Sequence, residues 1–136
     1  EKYDIFAYFL PTCPFLPQDS IMEGIRLLEN EGVQSVVSVS QYDEPIQLAC
    51  IKKGDWLVPV FDNLTSGLTN SKFIQKYHKP NGGFYMAKWD HLLEHKNFFK
   101  GDVKCVDIPQ KYLVDIDTKE DLDKAEYMVK NMIISK

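Results

Sequence analysis

Apolar positions along the chain follow two periods. Residues 3–10 (Tyr3-Asp4-Ile5-Phe6-Ala7-Tyr8-Phe9-Leu10) are a nearly unbroken apolar and aromatic run that stops at Pro11. Such a run predicts a strand buried on both faces, as in a parallel sheet. A strand of that kind needs neighbours on both sides, which sets an expectation of further sequence upstream. Over residues 18–31, Ile21, Met22, Ile25, Leu27 and Leu28 recur at helical spacing, and Asn30-Glu31-Gly32 supplies the stop. Residues 33–39 are β-branched and mostly apolar and predict a second strand. Strand, helix, strand is a βαβ unit, so the two strands are expected to be parallel neighbours with a right-handed crossover. The fold class is α/β.

The pattern then changes. Residues 46–52 and 56–61 are short strand candidates around Lys53-Gly54-Asp55, a hairpin-like turn. Residues 62–79 are polar and read as a long loop or arm, a kind of segment usually tied to function or to a partner. Residues 81–87 form a strand entered through the Gly82-Gly83 turn, with Asn81, Gly83 and Tyr85 expected on one face. Residues 89–95 predict a short helix, Phe98-Phe99 an aromatic knot and residues 103–108 the last strand.

Candidate chemistry centres on Val114-Asp115-Ile116-Asp117-Thr118. In an extended segment side chains alternate, so Asp115 and Asp117 share one side while Val114, Ile116 and Thr118 take the other. Carboxylates about 7 Å apart along a strand repel unless a cation sits between them. Mg²⁺ suits such a pair, because it favours carboxylate oxygen and keeps waters that a phosphate can replace. The plainer alternative is two solvated aspartates beside a capped helix. Thr118 is a good N-cap and Asp121 completes a capping-box pattern for a helix over residues 119–132.

Length and charge narrow the classes. A chain of 136 residues holds one domain of ordinary size. A net charge of −4 offers no basic footprint for nucleic acid or anionic lipid. No apolar run approaches the roughly 20 residues of a membrane helix, and Glu1-Lys2-Tyr3-Asp4 lacks the basic flank of a signal peptide. Cys13, Cys50 and Cys105 are odd in number and widely spaced, which argues for reduced thiols and a cytoplasmic setting. Cys13 has no histidine nearby in sequence and reads as an inert buried thiol. A zinc site would have to gather His78, His91 or His95 from afar.

Three segments together carry a family resemblance. Pro11-Thr12-Cys13-Pro14-Phe15 resembles the P-T-S-P-[FL] segment of the acylneuraminate cytidylyltransferases, the CMP-sialic acid synthetases and their relatives for pseudaminic and legionaminic acids. Pro80-Asn81-Gly82-Gly83-Phe84-Tyr85 resembles that family's P-N-G-A-[IF]-Y, and the Asp115 to Leu122 segment its D-I-D-T-x-x-D-L. The resemblance implies a three-layer α/β/α mixed sheet of the nucleotide-diphospho-sugar transferase type, with residues 62–80 as a dimerisation arm. It implies that CTP and an acidic nonulosonic sugar give a CMP-sugar and pyrophosphate, with Mg²⁺ held by Asp115 and Asp117 as the catalytic pair. Thr12 and Cys13 would lie by the nucleotide, and Asn81, Tyr85, Lys79 and Phe98 by the sugar. A homodimer is expected, with no nucleic-acid or membrane partner. The alternatives are a related nucleotidyltransferase for another substrate and a non-catalytic remnant of the fold.

The departures from the family pattern are specific. Lys79 stands where the family usually has Arg, and Cys13 replaces a serine. Asn70-Ser71-Lys72 takes the place of an Arg-Gln pair, and Gln47 that of a lysine. The family's first strand and its basic, glycine-containing phosphate loop have no counterpart here. The chain therefore resembles the C-terminal part of such an enzyme, and alone it is expected not to turn over.

Overall fold

The computed structural model describes residues 3–131. The first two residues, and the expected extension of the last helix to Met132, lie outside them. Two compact units divide the chain: Gln41–Lys79 forms a smaller one, and the residues on either side form the larger.

The larger unit is built on a four-stranded sheet. Its strands are β1 (Ile5–Phe9), β2 (Ser35–Gln41), β5 (His78–Lys88) and β6 (Val103–Asp107), in the order β1-β5-β2-β6. β1 runs antiparallel to β5, with Tyr8 opposite Tyr85, and β2 runs parallel to β6, with Ser38 opposite Val106. Between β5 and β2 the Lys88 N–H donates to the Gln34 carbonyl while Ser38 meets Phe84. Partner numbers fall as residue numbers rise, so that pair is antiparallel and the sheet is mixed.

Helix α1 (Gln18–Glu29) covers one face. Leu28 is buried with Val33, Val36, Phe84, Met86 and Val106, and Ile21 and Ile25 pack against them. Gly24 permits the close approach: a Cβ there would stand 3.0 Å from the Phe84 ring and 3.2 Å from Met86 Sδ. Tyr85 and Phe6 belong to the other face, where Trp89 of α2 (Trp89–His95) lies 6.0 Å from Phe6. Helices on both faces of a mixed sheet make the α/β/α layering that the family resemblance implied.

Two expectations for β1 fail. The strand is at the sheet edge and largely exposed, with Tyr8 46% and Phe9 40% accessible, rather than buried on both faces. β1 and β2 run the same way but are not neighbours, because β5 lies between them. Hydrophobicity fixes that a strand forms, but not which distant segment pairs with it.

In the smaller unit β3 (Cys50–Lys53) and β4 (Trp56–Pro59) form the expected hairpin, turning at Gly54 with φ +61°. The first strand begins later than its apolar residues imply, since Ile46–Leu48 is a 3₁₀ turn following Pro45. Residues 62–77 are turns and coil. The helices expected over residues 18–31 and 89–95 and the strand over 103–108 are all present. β5, however, starts earlier than expected and contains both glycines.

Candidate active site

The acidic segment is positioned from beneath. Val114 is buried, and Ile116 packs with Phe15, Ala125 and Met128 into a small second core. Asp115 and Asp117, at the alternate positions, are exposed. Helix α3 (Lys119–Lys130) starts at once, and its cap is the expected box. Thr118 Oγ1 accepts from the Asp121 N–H at 3.2 Å. In return Asp121 Oδ2 accepts from the Thr118 N–H at 2.9 Å, from Thr118 Oγ1 at 2.7 Å and from the Asp117 N–H at 3.3 Å. The Thr118 side-chain bond, followed by the Thr118 backbone bond, holds the Asp121 carboxyl below its ordinary value. The cap therefore also fixes the backbone of Asp117.

A second segment meets this one from far away in sequence. The Ile116 N–H donates to the Thr12 carbonyl at 3.0 Å, and Cys13 Sγ lies 3.9 Å from Asp115 Oδ1. Cys13 is buried, and burial, reinforced by the charge of Asp115, raises its thiol pKa. That keeps the thiol protonated, as a donor towards Asp115 and not a nucleophile. The structure thus joins the Thr12-Cys13 turn to the Asp115–Asp117 segment, two sites that the sequence nominated separately.

The remaining nominated residues form two groups. Tyr85 sits in an aromatic cluster, 5.5 Å from the Phe98 ring and 6.3 Å from that of Tyr8. Asn81 makes its hydrogen bonds to Ser38 and Gly83, its Oδ1 accepting from the Gly83 N–H and from Ser38 Oγ. Gly82 has φ +78°. A Cβ on Gly83 would stand 3.2 Å from Asn81 Oδ1, so Asn81 and Gly83 lie on the same side as expected. Lys79 belongs to the smaller unit, where its ammonium lies 5.3 Å from the centre of the Tyr42 ring. That unit also holds an open cleft of about 600 Å³ between Tyr42 and Lys76, lined by none of the nominated residues.

Among the described residues no three His, Cys, Asp or Glu side chains gather as a metal cluster. His91 and His95 pack edge to face with ring centroids 4.5 Å apart. Mg²⁺ is less demanding, since one or two carboxylates suffice when water and phosphate complete its shell, and the exposed oxygens of Asp115 and Asp117 fit that donor set.

No protein-family model matches the chain. Curated relatives do. The N-acylneuraminate cytidylyltransferase of Escherichia coli is 32% identical over 124 residues, covering 90% of this chain and 29% of that protein. Pseudaminic acid cytidylyltransferases from two strains of Campylobacter jejuni are 24% and 23% identical over 130 residues, covering 96% of this chain and 56% of theirs. These relatives support the acylneuraminate cytidylyltransferase family for this chain. The chain spans between 29% and 56% of the length of these relatives. In this chain the residue that sequence reasoning does not single out is Ser38. It lies in β2, whose sequence is mostly apolar, yet Ser35, Ser38 and Ser40 are all buried there. A buried hydroxyl needs partners, and that requirement was the available signal.

Proposed function

We propose that the complete polypeptide carrying this chain transfers CMP from CTP to an acidic nonulosonic sugar of the sialic, pseudaminic or legionaminic type and releases pyrophosphate. In this reaction the sugar's anomeric hydroxyl oxygen forms a bond to the α-phosphorus of CTP. The bond from that phosphorus to the β-phosphate oxygen breaks, pyrophosphate leaves, and the hydroxyl proton passes to solvent. The observation that carries the reading is the pair Asp115 and Asp117, both exposed and held from below by Val114, Ile116 and the capped helix. These two carboxylates would hold Mg²⁺, which supplies charge neutralisation for the triphosphate and the departing pyrophosphate. Cys13 steadies Asp115, Asn81 hydrogen-bonds the sugar, and the Tyr85–Phe98 pair offers it an aromatic surface.

Oligomerisation is part of the reading. The smaller unit exposes Trp56 (78%), Leu57 (70%) and Phe73 (84%), a density of bare apolar side chains that fits a homodimer contact. The reaction belongs in the cytoplasm, where free thiols such as these three stay reduced.

A second reading, a nucleotidyltransferase for a different sugar, is favoured by Gln47. Its side chain is buried and donates to the Gln75 carbonyl at 2.8 Å, so this position offers a neutral structural link and no cation. The test is a CMP-transfer assay with a panel of acidic and neutral sugars, with and without Mg²⁺. Product from an acidic sugar that requires Mg²⁺ is expected. Turnover of neutral sugars alone would favour the second reading, and no turnover at all would overturn both.

A further inference from the structure

The Asn81 carboxamide is held by one edge. Its Oδ1 accepts from the Gly83 N–H at 3.0 Å and lies 2.6 Å from Ser38 Oγ. A backbone N–H can only donate, so the atom facing Gly83 must be the carbonyl oxygen; a half-turn of the amide would set N–H against N–H. Ser38 reinforces that choice. Its Oγ accepts from the Phe84 N–H at 2.8 Å, which commits one lone pair. The single hydroxyl proton then has two acceptors to choose between, Asn81 Oδ1 at 2.6 Å and the Phe84 carbonyl at 3.1 Å, and the shorter contact is to Asn81.

The other edge of the amide has no partner. Asn81 Nδ2 is shielded from solvent and meets no acceptor among the described residues. Folded chains seldom retain such a donor, because its desolvation is uncompensated. The same turn is closed over by leucine methyl groups. Leu10 Cδ1 stands 2.8 Å from where a Gly82 Cβ would be, and Leu16 Cδ2 stands 2.7 Å from that of Gly83. Methyl groups at the ends of leucine side chains shift by a change of rotamer, so an arriving ligand can displace this cover.

Resting on the cytidylyltransferase reading, we propose that Ser38 is a positioning residue that locks Asn81 with its NH₂ edge presented to substrate. The site then selects an oxygen that accepts without donating, either the carboxylate or an acyl carbonyl of the sugar acid. A substrate group that must donate at this position meets two N–H bonds and is rejected. The lock works through orientation. An amide held by the Gly83 N–H alone presents the wrong edge more of the time, which lowers substrate affinity and leaves the chemical step unchanged.

The experiment compares three variants in the complete polypeptide that carries this chain. Ser38→Ala removes one of the two bonds that hold the amide, Ser38→Thr restores a hydroxyl, and Asn81→Asp keeps the oxygen that Gly83 and Ser38 need while replacing the unpartnered NH₂ with a carboxylate oxygen. Ser38→Ala is expected to raise KM for the sugar acid about tenfold, the worth of roughly one hydrogen bond, with kcat and the KM for CTP unchanged. Ser38→Thr recovers most of that loss. Asn81→Asp raises the sugar KM further, about a hundredfold, because an anion then faces an anionic substrate.

A deacylated sugar acid separates the two acceptors. The Ser38→Ala effect persists with it if the carboxylate is the partner and disappears if the acyl carbonyl is. A sugar KM within twofold of wild type in Ser38→Ala, or equal rises for sugar and CTP, overturns the lock while leaving the functional reading intact. Should Ser38→Ala not fold, an unchanged sugar KM in Asn81→Asp overturns it. Failure of the wild-type protein to form any CMP-sugar falls instead on the functional reading.

Discussion

Thr118→Ala tests whether the capping box holds the acidic segment. The substitution removes the oxygen that accepts from the Asp121 N–H and the hydroxyl that donates to Asp121 Oδ2 at 2.7 Å. Two of the four bonds in the box go. The two backbone donors to Asp121, from Asp117 and Thr118, remain. Loss of a threonine N-cap costs about 1 kcal/mol, within a range of roughly 0.5–2. The surface position adds no cavity term, since Thr118 is exposed.

Urea melts at pH 7 should therefore show a lower midpoint with an unchanged slope. Thr118→Ser, which keeps both bonds, should remain close to wild type. The box also predicts a pH dependence. The Asp121 carboxyl is held below its ordinary 3.8, chiefly by the Thr118 side chain and backbone. A depressed folded pKa gives stability that is fully present above the unfolded value and is lost as pH falls through the folded one. The gap between wild type and Thr118→Ala should accordingly narrow below about pH 3.8, where that contribution fades. Thr118→Ala within about 0.3 kcal/mol of wild type at pH 7, or Thr118→Ser as damaging as the alanine, would refute the role given to the cap.

Other outcomes follow from burial. Under native conditions a thiol reagent should modify Cys105 quickly and Cys50 more slowly, while Cys13 waits for denaturant; simultaneous reaction of all three would contradict the buried, protonated Cys13. Phe84→Ala should cost about 3–5 kcal/mol in urea unfolding, because the ring is wholly buried between β5 and α1. A loss under about 1 kcal/mol would deny Phe84 that place in the core. Deleting residues 64–70 should lower the oligomeric state seen by light scattering, and an unchanged mass would count against the arm.

Much of the fold was legible because its signals are local. The spacing of Ile21, Ile25 and Leu28 defines α1, and Thr118 with Asp121 announces the start of α3. The alternation of Val114 and Ile116 with Asp115 and Asp117 was equally plain: Val114 is buried, Ile116 half-buried and both aspartates exposed. What stayed hidden is non-local. Nothing in the residues of β1 and β2 says that β5 will insert between them, and an aromatic edge strand has the same composition as a buried one. The contact of Cys13 with Asp115 joins residues 102 positions apart. Ser38 was invisible for a different reason: one hydroxyl in an apolar strand becomes informative only when its partner is known to be Asn81.

The central claim is that the two exposed aspartates hold Mg²⁺ for CMP transfer, and Asp117→Asn tests it most directly. The side chain is exposed and the cap uses only the Asp117 backbone N–H, so the fold should be unaffected and the urea midpoint unchanged. Measured in the complete polypeptide with CTP, an acidic sugar and saturating Mg²⁺, kcat/KM should fall by about a hundredfold or more, roughly 3 kcal/mol of transition-state stabilisation. A folded variant that turns over at close to the wild-type rate would contradict it.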